Sequence, residues 1–274
     1  MVRSTRELCS QIGPECPVEL TIYGYYPNLT VNSFFAALFG LLCLLQLGIG
    51  TIRRTWTYMV VMVIATLGEA VGYGGRLMMH ENPWSRAGMR TQICCLVLAP
   101  SFLAAGVYVT LKHVVLYCGP EHSKLKARLY PWIFIGFDLA SIVLQAMGGG
   151  IAASASDKPN NRKLVDTGNG LIVAGIASQV ATMAVCAVFM IDYFRRFYRA
   201  KKSSSTASNE LGSEWEKNSS HPNARRNFRI FCYSMGLSFT TIFIRCIYRL
   251  PEMAGGWGNP LMRRENEFLL LDGM

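Results

Sequence analysis

Six long apolar runs, separated by shorter polar segments, dominate the pattern of the chain. Each run is long enough to cross a bilayer as a helix, which takes about 20 mostly apolar residues. None shows the alternation of apolar and polar residues that is typical of a transmembrane barrel strand. The pattern predicts an all-α integral membrane protein, a polytopic bundle with six transmembrane helices. The predicted spans are roughly residues 31–52, 57–79, 91–117, 130–153, 170–194 and 228–250.

The composition agrees with this prediction. Of the 274 residues, 51% are hydrophobic and 16% are charged, whereas a soluble domain carries about 25% charged residues. Buried helices of a soluble core are therefore a poor explanation of the apolar runs. Residues 1–30 precede the first run, which lacks the basic flank and small-residue cleavage site of a signal peptide. The first run is thus expected to remain in the protein as a span.

Lysine and arginine are unevenly distributed among the polar segments. The first, third and fifth loops hold 13 lysines and arginines and four acids. The N-terminus, the second and fourth loops and the tail together hold 9 lysines and arginines and nine acids. Because cytosolic loops carry the excess of positive charge, we expect the N-terminus outside. The chain then divides into an extracellular segment 1–30, a transmembrane bundle 31–253 with a cytosolic loop at 195–227, and an outer tail 254–274.

The cytosolic loop at 195–227 is rich in serine and basic at both ends. One interpretation is a disordered connector beside anionic lipid, and another is a regulatory loop controlled by phosphorylation. Nucleic-acid binding is not expected, since no aromatic platform or recognition module accompanies the basic charge.

The cysteines do not form a disulfide framework. Six of the nine lie in apolar runs, where cysteine behaves as a small hydrophobic residue. Under the predicted topology only Cys9 and Cys16 share the oxidising exterior, so the sequence allows one disulfide between them. A glycosylation sequon begins at Asn28 on the same side, next to the first span, and a second begins at Asn218 in the cytosolic loop, where no modification is expected.

Several kinds of chemistry find no support in the sequence. The nucleotide-binding glycine motifs are absent, as are the nucleophile elbow of hydrolases and a mid-helix lysine for a Schiff base. The four histidines are too widely spread to meet at one metal ion. We therefore expect no enzyme activity, no cofactor, no metal and no ATP-driven transport by this chain alone.

Nine charged or amide side chains within or at the ends of the apolar runs are candidate site residues. A charged side chain in mid-bilayer costs about 2.5–3.5 kcal/mol, so such residues usually face a partner or a cavity. The topology places most of the nine in the outer half of the bundle. They form either a buried network that fixes helix packing or a cavity for an amphipathic charged ligand, and the two can coexist. The candidates are Glu69, Arg76, Gln92, Asp138, Gln145, Gln179, Arg245, Arg249 and Glu252.

The spacing of these residues restricts their partners. Glu69 and Arg76 share one face of the second predicted helix but lie about 10 Å apart along its axis, so each must find its partner on another helix. Arg245, Arg249 and Glu252 share one face of the sixth. Asp138 lies in the inner third of the fourth.

Glycines at two places predict close packing of helices. Gly68 and Gly72 are separated by three residues, and Gly148, Gly149 and Gly150 are consecutive. Small residues let helix backbones approach one another in a membrane. We therefore expect helix–helix contacts at these glycines rather than ligand binding.

Six groups of residues follow one another along nearly the whole chain. The groups are Tyr25-Tyr26-Pro27 before Asn32 and Phe35, Glu69-x2-Gly72-Tyr73-x2-Arg76, Ala99-Pro100-x-Phe102-x2-Ala105-x2-Tyr108, Phe137-Asp138-x6-Gln145-x2-Gly148-Gly149, Gly175-x3-Gln179 and Arg245-x2-Tyr248-Arg249-x2-Glu252-x3-Gly256. With these groups the chain resembles the fungal resistance-to-aminocholesterol-like (RTA-like) proteins, also called the lipid-translocating exporter family. The resemblance implies a seven-helix fungal membrane protein with its N-terminus outside. It also implies export or flipping of sphingoid long-chain bases and tolerance of toxic lipophilic compounds, and we expect the plasma membrane as the location.

The end of the chain departs from the family pattern. That pattern continues after the sixth helix with an acid, an Asp seven residues later and a seventh helix. Glu265 and Asp272 hold the first two places, but the apolar run 268–271 is too short to span. We therefore expect six spans of a seven-helix architecture, with the C-terminus outside.

The function expected from the residues and the resemblance is translocation of an amphipathic lipid. A cationic long-chain base would enter the outer half of the bundle, and Glu69 or Glu252 would meet its amine. Arg76, Arg245 and Arg249 would hold those acids or a lipid headgroup. The expected partners are membrane lipids and a sphingoid base or another amphipathic small molecule. The alternatives are a receptor-like stress or lipid sensor that signals through the cytosolic loops, and a regulatory or non-functional fragment.

Overall fold

Six long helices and one short helix make up the fold in the computed structural model. The structure describes residues 9, 12–14, 16–21, 23–118, 129–155, 162–204, 222–255, 263 and 265–273. A single 3-10 turn, Val18–Leu20, precedes the helices, and within these ranges no strand is present beyond the isolated bridge between Gly13 and Cys16. The predicted all-α class is confirmed. The helices are α1 Leu29–Ile52, α2 Trp56–Glu81, α3 Arg86–Cys118, α4 Leu129–Ala155, α5 Arg162–Ser204, α6 Pro222–Ala254 and α7 Glu265–Asp272.

Helices α1 to α6 are all long and apolar enough to cross a membrane. Several extend beyond the apolar runs, and α5 is the clearest case because it continues through a basic segment to Ser204. Hydropathy marks the part of a helix that lies in hydrocarbon, whereas lysine, arginine and alanine continue a helix readily in water. The predicted loop at 195–227 is therefore helical at both ends. Residues 205–221, which include the serine-rich stretch and the sequon at Asn218, lie outside the described residues.

Helix α3 occupies the middle of the bundle. It packs along α2 and also contacts α4, α5 and α6, while α1 packs on α2 and α4 packs on α5. Its apolar window is 67% buried, against 6% for that of α1. Large apolar side chains such as Leu44, Trp132 and Leu237 lie on the outer surface, as expected where the surroundings are lipid rather than water.

The main apolar core lies between α3, α4, α5 and α6. Tyr108 and Phe134 pack with ring centroids 5.4 Å apart, and Met183, Cys186 and Phe239 complete the contact from α5 and α6. A smaller apolar cluster joins α1, α2, α3 and α7. There the Phe35 and Tyr73 rings stack at 5.2 Å, and Phe268 of α7 is buried beside them. The short helix is thus part of the bundle.

Two helix pairs touch backbone to backbone at glycines. A Cβ atom added to Gly148 of α4 would lie 2.6 Å from the carbonyl oxygen of Gly168 in α5, and one added to Gly75 of α2 would lie 2.7 Å from that of Gly88 in α3. The packing role predicted for Gly148 is confirmed. By contrast, nothing lies within 4 Å of a Cβ added to Gly149 or Gly150.

The contrast between Gly148 and its neighbour predicts opposite effects of the same substitution. We expect Gly148→Ala to destabilise the bundle by about 1–3 kcal/mol, because the added methyl forces α4 and α5 apart. Gly149→Ala should be neutral or stabilising by up to about 1 kcal/mol, since alanine is the better helix former. Unfolding of the purified variants in mixed micelles measures both. Identical stabilities for the two variants would contradict this account of the contact.

Candidate functional site

Three arginines and three glutamates from α2, α6 and α7 form a buried set of ion pairs, here called the ionic cluster. The first pair joins α2 to α6. Arg245 Nη2 donates to Glu69 Oε2 at 2.8 Å, and Arg245 Nη1 lies 2.6 Å from Glu69 Oε1. The two side chains are 5% and 1% exposed. The members of the cluster are Glu69, Arg76, Arg245, Arg249, Glu252 and Glu265.

The second pair lies within α6, one turn further along. Arg249 Nη1 donates to Glu252 Oε2 at 3.0 Å, and both side chains are 3% exposed. The Arg249 guanidinium also lies 5.3 Å from the centroid of the Phe268 ring. This position links the pair to α7 and to the third arginine, which shares the same ring.

The third pair joins α2 to α7 and is the most accessible of the three. Arg76 Nη2 lies 3.2 Å from Glu265 Oε1, with the arginine side chain 1% exposed and the glutamate 19%. The Arg76 guanidinium lies 4.2 Å from the Phe268 ring centroid and 5.8 Å from that of Tyr23. Arg76 Nη2 also donates to the Tyr25 hydroxyl at 3.1 Å. Aromatic faces and oxygens therefore enclose the guanidinium, which suits a delocalised cation.

The two tyrosines of the N-terminal segment stay protonated at neutral pH. Burial raises the pKa of Tyr23 and of Tyr25 above the usual phenol value, and the positive charge of Arg76 opposes this rise only in part. Tyr23 also lies within electrostatic range of Arg249 and Glu252. Both phenols therefore act as neutral polar groups beside the ionic cluster.

The N-terminal segment is attached to the bundle at several points. A disulfide joins Cys9 to Cys16, with their Cα atoms 5.8 Å apart. Trp84 Nε1 donates to the Cys16 carbonyl at 3.3 Å, and His80 Nδ1 lies 2.8 Å from the carbonyl oxygen of Pro27. These contacts hold the segment against the turn between α2 and α3, which places its tyrosines over Arg76.

Asn28 connects the start of α1 to the ionic cluster. Its side-chain oxygen accepts from the backbone N–H groups of Thr30 and Val31, which is the usual N-cap arrangement. Its own backbone N–H donates to Glu265 Oε1 at 2.7 Å. The sequon therefore begins at the first residue before the span, and glycosylation of Asn28 stays a prediction.

A second set of buried polar side chains, here called the inner polar group, lies between α3, α4, α5 and α6. Gln145 Nε2 donates to Gln179 Oε1 at 3.4 Å, and Gln179 Nε2 donates to the Cys246 sulfur at 3.7 Å. Tyr108 lies near Cys246 and beside Asp138. Because Cys246 follows Arg245 directly in α6, the inner polar group adjoins the ionic cluster.

All nine residues predicted from the sequence are buried. Five of them belong to the ionic cluster, and Glu69 and Arg76 each pair with another helix, as their spacing predicts. Asp138, Gln145 and Gln179 form the inner polar group. Gln92 lies apart, beside the close contact between α2 and α3 where its backbone faces Gly75.

Four residues in or around the ionic cluster were not among the sequence candidates, namely Tyr23, Tyr25, Glu265 and Phe268. Two of them occur in the groups that carry the family resemblance or its continuation, Tyr25 and Glu265, but both fall outside the apolar runs. Hydropathy alone therefore could not assign them to the bundle. In the described ranges, no group of three His, Cys, Asp or Glu side chains could hold a metal ion.

The arrangement defines an integral membrane protein whose bundle encloses paired charges. Residues 62–274 match the family described as RTA1 like protein, and the chain belongs to this family. Its relatives include the sphingoid long-chain base transporter RSB1 of Saccharomyces cerevisiae (strain Lalvin EC1118 / Prise de mousse), 29% identical over 92% of this chain and 69% of the relative. No solved structure matches the chain.

Two further relatives from the same organism are more distant or shorter in their match. Protein RTM1 of Saccharomyces cerevisiae is 24% identical over 82% of this chain and 65% of its own length. Protoporphyrin uptake protein 1 of Saccharomyces cerevisiae (strain ATCC 204508 / S288c) is 34% identical over 41% of this chain and 35% of its own length. Only the first of the three therefore aligns with nearly the whole chain.

The burial of the Glu69–Arg245 pair predicts a large cost for removing one partner. We expect Glu69→Gln to destabilise the bundle by about 3–5 kcal/mol, because the arginine keeps its charge in a buried site without its carboxylate partner. The exposed pair of Asp192 and Arg196 in α5 provides the matched control, and Asp192→Asn should cost at most about 1 kcal/mol. Unfolding in mixed micelles compares the two.

A double variant separates a lost pair from an unpaired charge. Replacing both partners, Glu69→Gln with Arg245→Gln, should recover part of the stability lost in the single variant, since no isolated charge remains. If Glu69→Gln lowers the stability no more than Asp192→Asn does, burial does not make the Glu69–Arg245 pair more important for stability than an exposed pair.

Proposed function

We propose that the chain translocates cationic amphipathic lipids of the sphingoid long-chain base class across the plasma membrane, with its N-terminus outside. The observation that carries the proposal is the ionic cluster, a set of buried carboxylates held by guanidinium groups inside a membrane bundle. A relative that aligns with 92% of the chain and is named a sphingoid long-chain base transporter supports this substrate class.

The ionic cluster suits a cationic headgroup because the ammonium of the lipid can take the place of a guanidinium. Glu69, Glu252 and Glu265 each already hold an arginine, so binding requires that an ion pair opens. The exchange keeps the carboxylate paired and so avoids the large cost of leaving it buried and alone, while the displaced guanidinium must be held by other contacts. Buried ionisable residues in spans commonly mark such pathways.

The first pair to open in this scheme is the one between Arg76 and Glu265. Glu265 is 19% exposed, whereas the side chains of the two other pairs are at most 5% exposed. The released guanidinium keeps favourable contacts with the Phe268 ring and the Tyr25 hydroxyl. A headgroup bound at Glu265 would then reach Glu252 or Glu69, the two acids expected from the sequence to meet the amine.

A route across the bundle continues from the ionic cluster through the inner polar group. Arg245 and Cys246 are neighbours in α6, and Cys246 accepts a hydrogen bond from Gln179, which in turn accepts one from Gln145. Amides of this kind can offer hydrogen bonds to an ammonium or hydroxyl group in place of water. The alkyl chain of the base would remain against the apolar outer faces, in contact with the lipid.

The proposed orientation rests on the charge distribution and on the N-terminal segment. A disulfide between Cys9 and Cys16 suits an oxidising compartment. An epitope tag added before Met1 should therefore be accessible to antibody in intact cells, whereas a tag inserted in the 205–221 segment should require permeabilisation. Detection of the inserted tag, but not of the N-terminal tag, in intact cells would reverse the orientation.

Release of a labelled sphingoid base from cells tests the transport function. We expect Glu265→Gln to reduce release by about 10- to 100-fold, because a charge-assisted contact contributes about 1.5–3 kcal/mol and 1.4 kcal/mol is tenfold in affinity. Glu19→Gln, a change at an exposed acid of the N-terminal segment, is the control and should leave release unchanged. Normal release by Glu265→Gln at equal surface level would remove the cluster from the mechanism.

A further inference from the structure

Asp138 differs from the other buried acids of the chain. Glu69 and Glu252 each form an ion pair with an arginine. Asp138 is 2% exposed, yet in the part of the chain that the structure describes it forms no ion pair. Neither of its oxygens makes a hydrogen bond of standard geometry with a described residue. This carboxyl is therefore buried without the charge partner that its counterparts have.

The side chains that face Asp138 are neutral at physiological pH. Tyr108 of α3 has its hydroxyl beside the carboxyl, and Cys186 of α5 lies on the opposite helix. Cys246 of α6 lies near Tyr108. Tyr108, Cys186 and Cys246 all belong to the main apolar core. No lysine, arginine or histidine among the described residues faces the carboxyl from any of these helices.

These surroundings determine which occupant can neutralise the carboxyl. An ionised carboxylate is strongly disfavoured in an apolar site where one phenol is its neighbour and no cation faces it, so such a group takes up a proton instead. Hard metal cations require several oxygen ligands, and one phenol with two thiols does not provide them. The proton is the smallest occupant and needs no further ligands.

We propose that Asp138 is a proton-binding site through which lipid movement is coupled to a proton gradient. In the closed arrangement described here the carboxyl holds its proton. When the bundle opens and water reaches α4, the O–H bond breaks, the proton passes to water and a carboxylate remains. Closure then requires that the carboxylate takes up a proton again, from whichever side the bundle has opened to.

The position of Asp138 explains how a proton there can be linked to the lipid headgroup. Cys246, near Tyr108, directly follows Arg245, the partner of Glu69. A shift or rotation of α6 that separates Arg245 from Glu69 therefore also changes the surroundings of Tyr108 and Asp138. Exchange of one proton for one lipid cation is electrically neutral. This coupling rests on the proposed function, whereas protonation of Asp138 does not.

Infrared spectroscopy of the purified full chain in lipid nanodiscs tests the protonation by itself. We expect a carboxylic acid C=O band at neutral pH that is lost in Asp138→Asn. Asp166→Asn, which changes an exposed acid of α5, should leave the band in place. Tyr108→Phe should shift the band without removing it, and this variant keeps the test valid if Asp138→Asn folds poorly. Absence of the band from the wild-type chain at neutral pH would overturn the proposal.

Movement in proteoliposomes tests the coupling. The probe is an N-trimethylated sphingoid base, whose charge does not change with pH. For one-to-one exchange, a pH difference of one unit should drive up to about a tenfold accumulation of the probe. The reason is that, at equilibrium, the concentration ratio of the probe across the membrane equals that of the protons. Asp138→Asn should abolish this accumulation and retain downhill movement, while Asp166→Asn should behave as the wild type.

The two assays separate failure of the inference from failure of the proposed function. Downhill movement of the probe that responds to a sodium gradient, or to neither gradient, would overturn proton coupling and leave lipid transport intact. No movement of the probe or of the unmodified long-chain base in any condition, together with the Asp138 band, would contradict the transport function and with it the coupling, while the proton site itself would stand. Accumulation that persists in Asp138→Asn would assign the coupling to another group.

Discussion

The ion pair of Glu69 and Arg245 fixes the position of α2 relative to α6. Both its carboxylate and its guanidinium are buried. In a low-dielectric interior neither charge is tolerable alone, so the position of α2 determines that of α6. The backbone contacts between α2 and α3 and between α4 and α5 then leave little freedom for the remaining helices. Helix α3 becomes the central element because it packs on α2 and also contacts α4, α5 and α6.

The same constraint explains why the polar residues fall into two sets with different chemistry. Where α2, α6 and α7 meet, each acid whose side chain the structure describes pairs with an arginine, and aromatic rings from Tyr23 and Phe268 cover the guanidinium of Arg76. Among α3, α4, α5 and α6 the polar groups of the inner polar group are amides, thiols, a phenol and the Asp138 carboxyl, and none of them carries a fixed positive charge. Buried ion pairs contribute little net stability compared with apolar packing. Their presence at this place is better explained by specificity or ligand exchange than by stability.

The sequence predicted the six spans because each apolar run exceeds the length that hydrocarbon requires. It also predicted that Glu69 and Arg76 would find partners elsewhere, since their separation along one helix follows from helix geometry. The identity of those partners depends on the rotation and register of other helices, which hydropathy does not contain. Phe268 and Glu265 could not be assigned to the bundle from their pattern, because an eight-residue helix is far too short to register as a span.

The pairing between distant parts of the chain also has a consequence during synthesis. Arg76 and Glu265 are 189 residues apart, and Glu69 and Arg245 are 176 apart. At a translation rate of about 5–20 residues per second, α2 exists for about 10–40 s before its charge partners leave the ribosome. During that interval both charges of α2 lack their final partners at the insertion machinery. Delayed release of α2 into lipid, or shielding by a membrane chaperone, would protect the nascent chain from quality-control degradation.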